Sequence, residues 1–145
     1  MFPGILKWLE KRPPSLRLAI SVIAGIAFAM TLSVITHELL YLCGIFPALD
    51  KPMYDTSLVL TELFYHSVYV MAGAYLTACL AKEQARKAVF LLGTKEVIMW
   101  IAGKILLWHH TPPWYNLSKA ILGIPLAVLA GKIYAKRNDR KSQLA

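Results

Sequence analysis

The sequence predicts an all-α protein, a bundle of four transmembrane helices with both termini in the cytoplasm. Three observations carry that prediction. Hydrophobic residues make up 57% of the 145-residue chain, and the mean hydropathy of +0.52 exceeds that of most soluble domains of this size. The apolar residues gather into four long runs parted by proline, glycine and charge, and about 20 such residues cross the ~30 Å hydrocarbon core of a bilayer. The net charge of +8 collects mainly at the ends of those runs rather than within them.

Residues 1–14, MFPGILKWLEKRPP, alternate apolar and charged positions. They read either as a short helix lying in the cytoplasmic interface, with Trp8 at head-group depth, or as a frayed, charged terminus. Pro13-Pro14 closes the segment, because proline cannot continue a helix from its N-terminal side. The transmembrane domain covers 15–134. Its first span, about 16–43, carries no charge from 18 to 36 and stops at Gly44 and Pro47. That run is too long for a signal h-region and is expected to be retained as a membrane helix. A loop with Asp50, Lys51 and Asp55 leads to the second span, about 57–81. The connector 82–87 leads to the third, 88–108, which holds Lys95, Glu96 and Lys104. His109-His110-Thr111-Pro112-Pro113 is a hard break. The fourth span, 114–134, contains Pro125, expected to kink it. The basic, polar tail 135–145 is expected to be disordered.

Orientation follows from Lys and Arg. All of them except Lys51, Lys95, Lys104 and Lys119 fall at the N-terminus, in the 82–87 connector or from Lys132 onward. The positive-inside rule then places both termini and the connector in the cytoplasm. A nucleic-acid binder would set base-reading or stacking residues beside its charge. Here the basic clusters flank apolar spans, so the expected partner is a bilayer with anionic head groups, and no nucleic acid. Cys43 and Cys79 fall at opposite membrane faces, too far apart for a disulfide, and no CxxC pair is present.

Ala72-Gly73-Ala74-Tyr75-Leu76-Thr77-Ala78, the stretch Ala88 to Gly93, Pro113-Trp114-Tyr115, and Pro125 followed by Gly131 give the second half its character. In these it resembles a widespread group of small, uncharacterised bacterial four-helix integral membrane proteins. Ala74 stands where that group usually has a second glycine, and Cys79 where an arginine is common. The resemblance covers roughly residues 72–134 and implies an inner-membrane protein of a bacterium. It implies no activity.

Ionisable residues within a span are costly and so are candidates for function. At ~1.5 Å per residue, Glu38, Glu62 and Lys104 fall in one shallow layer in the outer half, with His37 beside them and His66 a turn deeper. Glu62, His66, Tyr69 and Gly73 recur at helical spacing and share one face. The candidate ion- or substrate-binding residues are therefore Glu38, Glu62, His66, Glu96 and Lys104. His37, Glu62 and His66 are the candidate metal ligands. The plain alternative is an ion pair of Lys104 with Glu62 or Glu38, the histidines hydrogen-bonded nearby. Lys95 and Glu96 point about 100° apart, so each is expected to seek a partner elsewhere, Thr31, Ser33 or Tyr69 for Glu96.

No catalytic residue and no cofactor is assigned. The sequence has no phosphate-cradling glycine loop, no serine nucleophile motif and no haem histidine pair at bundle-core spacing. The leading expectation is an interaction protein or a subunit of a membrane assembly, with a second copy of the chain or another membrane protein as its partner. The alternatives are a small oligomeric ion- or proton-coupled transporter using the polar layer, and a metal-binding membrane enzyme.

Overall fold

The computed structural model describes residues 4, 8–9, 11–48, 51–106 and 111–143, apart from the side chains at 104, 106, 141 and 142. Among these residues the regular structure is helical. Helix α1 is Pro14–Leu42, α2 is Thr56–Ala81, α3 is Ala85–Leu106 and α4 is Pro113–Gln143, with a 3-10 turn at Lys82–Gln84 between α2 and α3.

Local chemistry sets the boundaries. Pro14 opens α1, where its missing N–H has no partner to lose. Gly44 ends that helix with φ 72, and the Cys43 and Gly44 N–H groups turn back to Leu39 and Tyr41 carbonyls at 3.0 and 2.9 Å. Asp55 caps α2, accepting from the N–H groups of Ser57 at 2.8 Å and Leu58 at 3.3 Å. The Ser57 hydroxyl and these N–H groups hold the Asp55 carboxyl below the usual carboxylate range. Helix α2 stops where Lys82 takes φ 51, and α3 begins after the turn. Pro125 lies within α4 on an exposed face.

Three helical stretches are long and apolar enough to cross a membrane: Pro14–Leu42, Thr56–Gly103 and Pro113–Arg140. The second runs through the turn at Lys82–Gln84. His66 and Glu96, on either side of that turn, lie 3.7 Å apart, so α2 and α3 are antiparallel and the stretch doubles back. Helix α2 is central. It packs on α1, α3 and α4, while α3 and α4 also pack on each other. One end of the molecule carries the loop after α1, here the loop end. The other carries the Lys82 turn, here the turn end.

The turn-end half has an apolar core of small and branched side chains, among them Val70, Ala74, Ala78, Val89, Leu92 and Ala127. Two glycine contacts let the helices approach this closely. A Cβ on Gly73 would sit 2.5 Å from the Gly25 carbonyl oxygen, and one on Gly25 would meet the Thr77 hydroxyl. The Thr77 hydroxyl instead donates to the Ser21 carbonyl at 3.2 Å. Arg17 Nε donates to the Leu80 carbonyl at 3.0 Å and Gln84 to that of Pro14 at 3.1 Å, joining the start of α1 to the end of α2. At the loop end, Phe46 and Met53 fold over Val59 and Tyr115 as a second apolar cluster.

The surface is apolar and part of the interior is not. Ile23, Phe64, Ile98, Ile105 and Ile121 are exposed, whereas Ser21, Thr77, Glu96 and Lys119 are buried. In water this would be inverted; hydrocarbon surroundings reward it.

One expectation changes. The tail is not disordered through 135–143: α4 continues to Gln143, since no glycine or proline interrupts the sequence there. Among the described residues nothing lies within 4 Å of where a Cβ on Gly103 would be. The N-terminal interfacial helix lies largely outside the described residues. Of it, Leu9 is buried, and the Arg12 guanidinium sits 4.4 Å over the Trp8 ring. Trp108, His109 and His110 are outside them as well.

Gly25→Ala and Gly73→Ala are each expected to cost about 1–3 kcal/mol by overpacking against backbone. Gly103→Ala is expected to be neutral. Thermal unfolding in detergent micelles measures all three, and equal behaviour at Gly73 and Gly103 would contradict the packing account.

Candidate functional site

Glu62, His66 and Tyr69 form a polar face on α2, and each engages a different helix. The Tyr69 hydroxyl lies 2.8 Å from Thr36 Oγ1 of α1. His66 faces α3 through Glu96. Glu62 reaches α4, where Lys119 Nζ donates to its Oε1 at 2.9 Å. Lys119 is only 3% exposed. Its ammonium also lies 3.8 Å from the Trp100 ring centroid and 4.2 Å from that of Tyr115. One carboxylate and two aromatic faces therefore surround this charge, each a favourable partner for a cation. The Tyr115 hydroxyl is buried within reach of the Glu62 carboxylate.

A second charged group lies one to two turns nearer the turn end. Glu96 Oε1 accepts from Lys95 Nζ at 3.0 Å and Oε2 from the Trp100 indole N–H at 3.2 Å. His66 Nε2 is 3.7 Å from Oε2, and its Nδ1 is 3.4 Å from the Ser33 hydroxyl. The His66 and Trp100 rings meet edge to face, 5.2 Å between centroids. Trp100 thus joins the two groups: its face holds Lys119 and its N–H holds Glu96.

These residues border a half-open cleft of about 290 Å³ between α1 and α3, over α2. Its polar wall is His66, Lys95 and Glu96, and Gly103 leaves it open on the α3 side. Met30, Val34 and Met99 form an exposed apolar rim. A neighbouring cavity of about 240 Å³ continues past His37 and Glu62 to Lys51, Thr111 and Asn116 at the loop end. Toward the turn end the small-residue core closes the interior.

The candidate residues are thus partly gathered. Glu62, His66 and Glu96 line one cleft. Glu38 does not join them: it is on the exposed side of α1. The Lys104 side chain lies outside the described residues, and the expected Glu62–Lys104 or Glu38–Lys104 pair gives way to Glu62–Lys119. Lys119 was passed over because it sits near the end of a span, where a lysine normally reaches water. Its i, i+4 spacing from Tyr115 was the signal available. Lys95 and Glu96 do pair, contrary to expectation, because four methylenes let the Lys95 ammonium curl round the helix. Glu96 is met by Lys95, Trp100 and His66 rather than by Thr31, Ser33 or Tyr69.

His37, Glu62 and His66 do not assemble as metal ligands. Among the described residues, no three His, Cys, Asp or Glu side chains are grouped to hold an ion. His37 Nε2 is 3.2 Å from the Pro47 carbonyl and its ring abuts Phe46 at 5.3 Å. It fastens the loop to α1, while Glu62 is engaged by Lys119.

No protein-family model, no curated protein and no solved structure matches this chain.

Removing one member of the Glu62–Lys119 pair strands the other. Lys119→Met and Glu62→Gln singly should lose stability, by about 3–5 kcal/mol where a full charge is left buried. The double substitution should recover most of that loss. A double-mutant cycle on unfolding in micelles reads the coupling; additive losses would mean the pair is wetted and weak.

Proposed function

We propose that the chain is an integral protein of a bacterial inner membrane, a four-helix bundle crossing the bilayer four times with both termini in the cytoplasm. We propose further that it acts by binding. Its cleft receives a polar side chain from a partner helix and so makes the protein a subunit of a membrane assembly. One observation carries this reading. Polar groups of three helices converge on a cleft with an exposed apolar rim, while the half of the interior beyond them is closed by small-residue packing. A group can enter from the side, and a hydrogen-bonding residue on a neighbouring helix would find Glu96, His66 and Lys95 there. Interhelical hydrogen bonds are a main source of specificity where lipid removes the hydrophobic drive for helix association. Conduction would need a continuous polar route, and catalysis a nucleophile or metal group. The geometry supports neither as well.

Orientation has a built-in reporter. Cys43 is exposed near the loop end, so a membrane-impermeant maleimide should label it in intact spheroplasts, and Cys43→Ser should abolish the signal. Labelling only after lysis would reverse the topology.

Binding is tested with a photo-crosslinking residue at Met99, on the cleft rim. In native membranes it should give a discrete adduct with one membrane protein. Gly103→Phe should fill the cleft without a clash at its Cβ and reduce that adduct at least fivefold. An adduct indifferent to Gly103→Phe, or none, would overturn the reading. Ion flux in proteoliposomes that Glu96→Gln abolishes would favour the transporter instead.

A further inference from the structure

The turn end carries a groove that the binding cleft does not explain. It measures about 730 Å³ and runs between the start of α3 and the later part of α4. Its lining has two levels. The level nearer the middle of the bundle is apolar: Val89, Phe90, Val128 and Gly131. Phe90 is 54% exposed and forms part of the outer surface. The level toward the end carries the charge, Lys82, Arg86, Lys87 and Lys132 against Glu83 and Asp139, with Tyr134 and Ala135 beside them. Arg86, Lys87 and Lys132 are exposed, and none of the three has an ion-pair partner among the described residues.

The helix geometry strengthens this polarity. Arg86 and Lys87 stand in the first turn of α3, whose N-terminus carries the positive end of the helix dipole. Lys132 follows Val128 by one turn on α4, so a cation sits directly beyond an apolar side chain. The same step recurs from Phe90 to Arg86 on α3. On each wall an apolar side chain is therefore followed, one turn nearer the end, by a cation. A free phosphate or a nucleotide would use the cations alone and leave Phe90 and Val128 without a role. A phospholipid uses both levels, its phosphate among the cations and an acyl chain along the apolar wall.

We propose that this groove binds one anionic phospholipid, with the phosphate held by Arg86, Lys87 and Lys132 and a chain laid against Val89, Phe90 and Val128. The proposal rests on the membrane reading above, which places the turn end in the cytoplasmic leaflet, but not on the role given to the cleft. It turns a general preference for anionic surfaces into a site with a stated position. Basic recesses between membrane helices on the cytoplasmic side are a recurring form of lipid recognition.

The test uses the purified full-length protein in micelles of a neutral detergent, titrated with phosphatidylglycerol and followed by native mass spectrometry. Phosphatidylglycerol should be retained at least tenfold more strongly than phosphatidylcholine of the same chain length, and a millimolar excess of inorganic phosphate should not displace it. The triple variant Arg86→Gln/Lys87→Gln/Lys132→Gln should lower retention about a hundredfold, at roughly fivefold per cation. Lys136→Gln/Arg140→Gln/Lys141→Gln removes as much charge from positions of α4 that do not line the groove and should change it less than twofold. Equal losses in the two triple variants would show a diffuse field and overturn the site. So would equal retention of the two lipids by the wild-type protein, a result that needs no variant to fold. Displacement by phosphate would overturn the lipid as occupant. If selectivity fails while Cys43 still labels from outside, the groove proposal falls and the membrane reading stands.

Discussion

The loop-end half of the molecule depends on how one buried ammonium group is neutralised. Lys119 projects from α4 into an interior with almost no water contact. A charge placed in hydrocarbon is costly unless it finds a counter-charge and donors or acceptors around it. Glu62 of α2 supplies the charge at 2.9 Å, Trp100 of α3 supplies a π face, and Tyr115, one turn before Lys119 on α4, supplies another. Satisfying this one group fixes the relative positions of α2, α3 and α4 at this level. It also orients Trp100, whose N–H is then directed at Glu96. The second charged group is arranged through the first.

The turn-end half is held differently. There the helices meet through atoms too small to leave space, and the Gly25–Gly73 contact brings two backbones together. A related contact joins the halves. Gly93 and Gly123 bring α3 and α4 into close approach, and a Cβ on Gly123 would lie 3.0 Å from the Glu96 Cβ. The α4 backbone therefore covers the stem of Glu96 and leaves its carboxylate to point toward α2 and the cleft. Dispersion packing fixes the stem, and hydrogen bonds fix the head.

Much of the helix layout was legible because its signals are local. Pro13-Pro14 and Gly44 stand at the two ends of α1, and Asp55 and Pro112-Pro113 at the starts of α2 and α4. Helix α3 starts three residues before Ala88, at Ala85, and α4 runs past Tyr134 to Gln143, because the end of a hydrophobic run is not the end of a helix. Ala, Lys, Arg and Gln continue a helix readily once it is nucleated and packed, and no breaker follows Tyr134. The site was half legible. Helical spacing put Glu62 and His66 on one face, and the cost of burial marked Glu96. Spacing along one helix says nothing of which residue on another will meet it, so Lys119 and Trp100 went unassigned. Glu38 shows the converse: its depth suits the layer, but its azimuth on α1 turns it outward.

Two kinds of packing in one small bundle have a consequence for any change of state. The small-residue contacts leave no room for a helix to slide without backbone collision, so the turn-end half should move as a block. The polar half has freedom where packing is thin: α1 and α3 are held apart across the cleft, no described atom lies within 4 Å of where a Cβ on Gly103 would be, and Ser33, His66 and Lys95 hold single, exchangeable hydrogen bonds. A group entering the cleft can compete for Glu96 without first breaking the Lys119–Glu62 pair. Exchanging Lys95 for an incoming donor costs little, since Glu96 keeps a partner and the lysine side chain, a quarter exposed, can turn toward another acceptor. Losing Glu62 from Lys119 strands a charge. The first exchange is therefore reversible at low cost and the second is not, which makes Glu96 the responsive group of the bundle and Glu62 part of its frame.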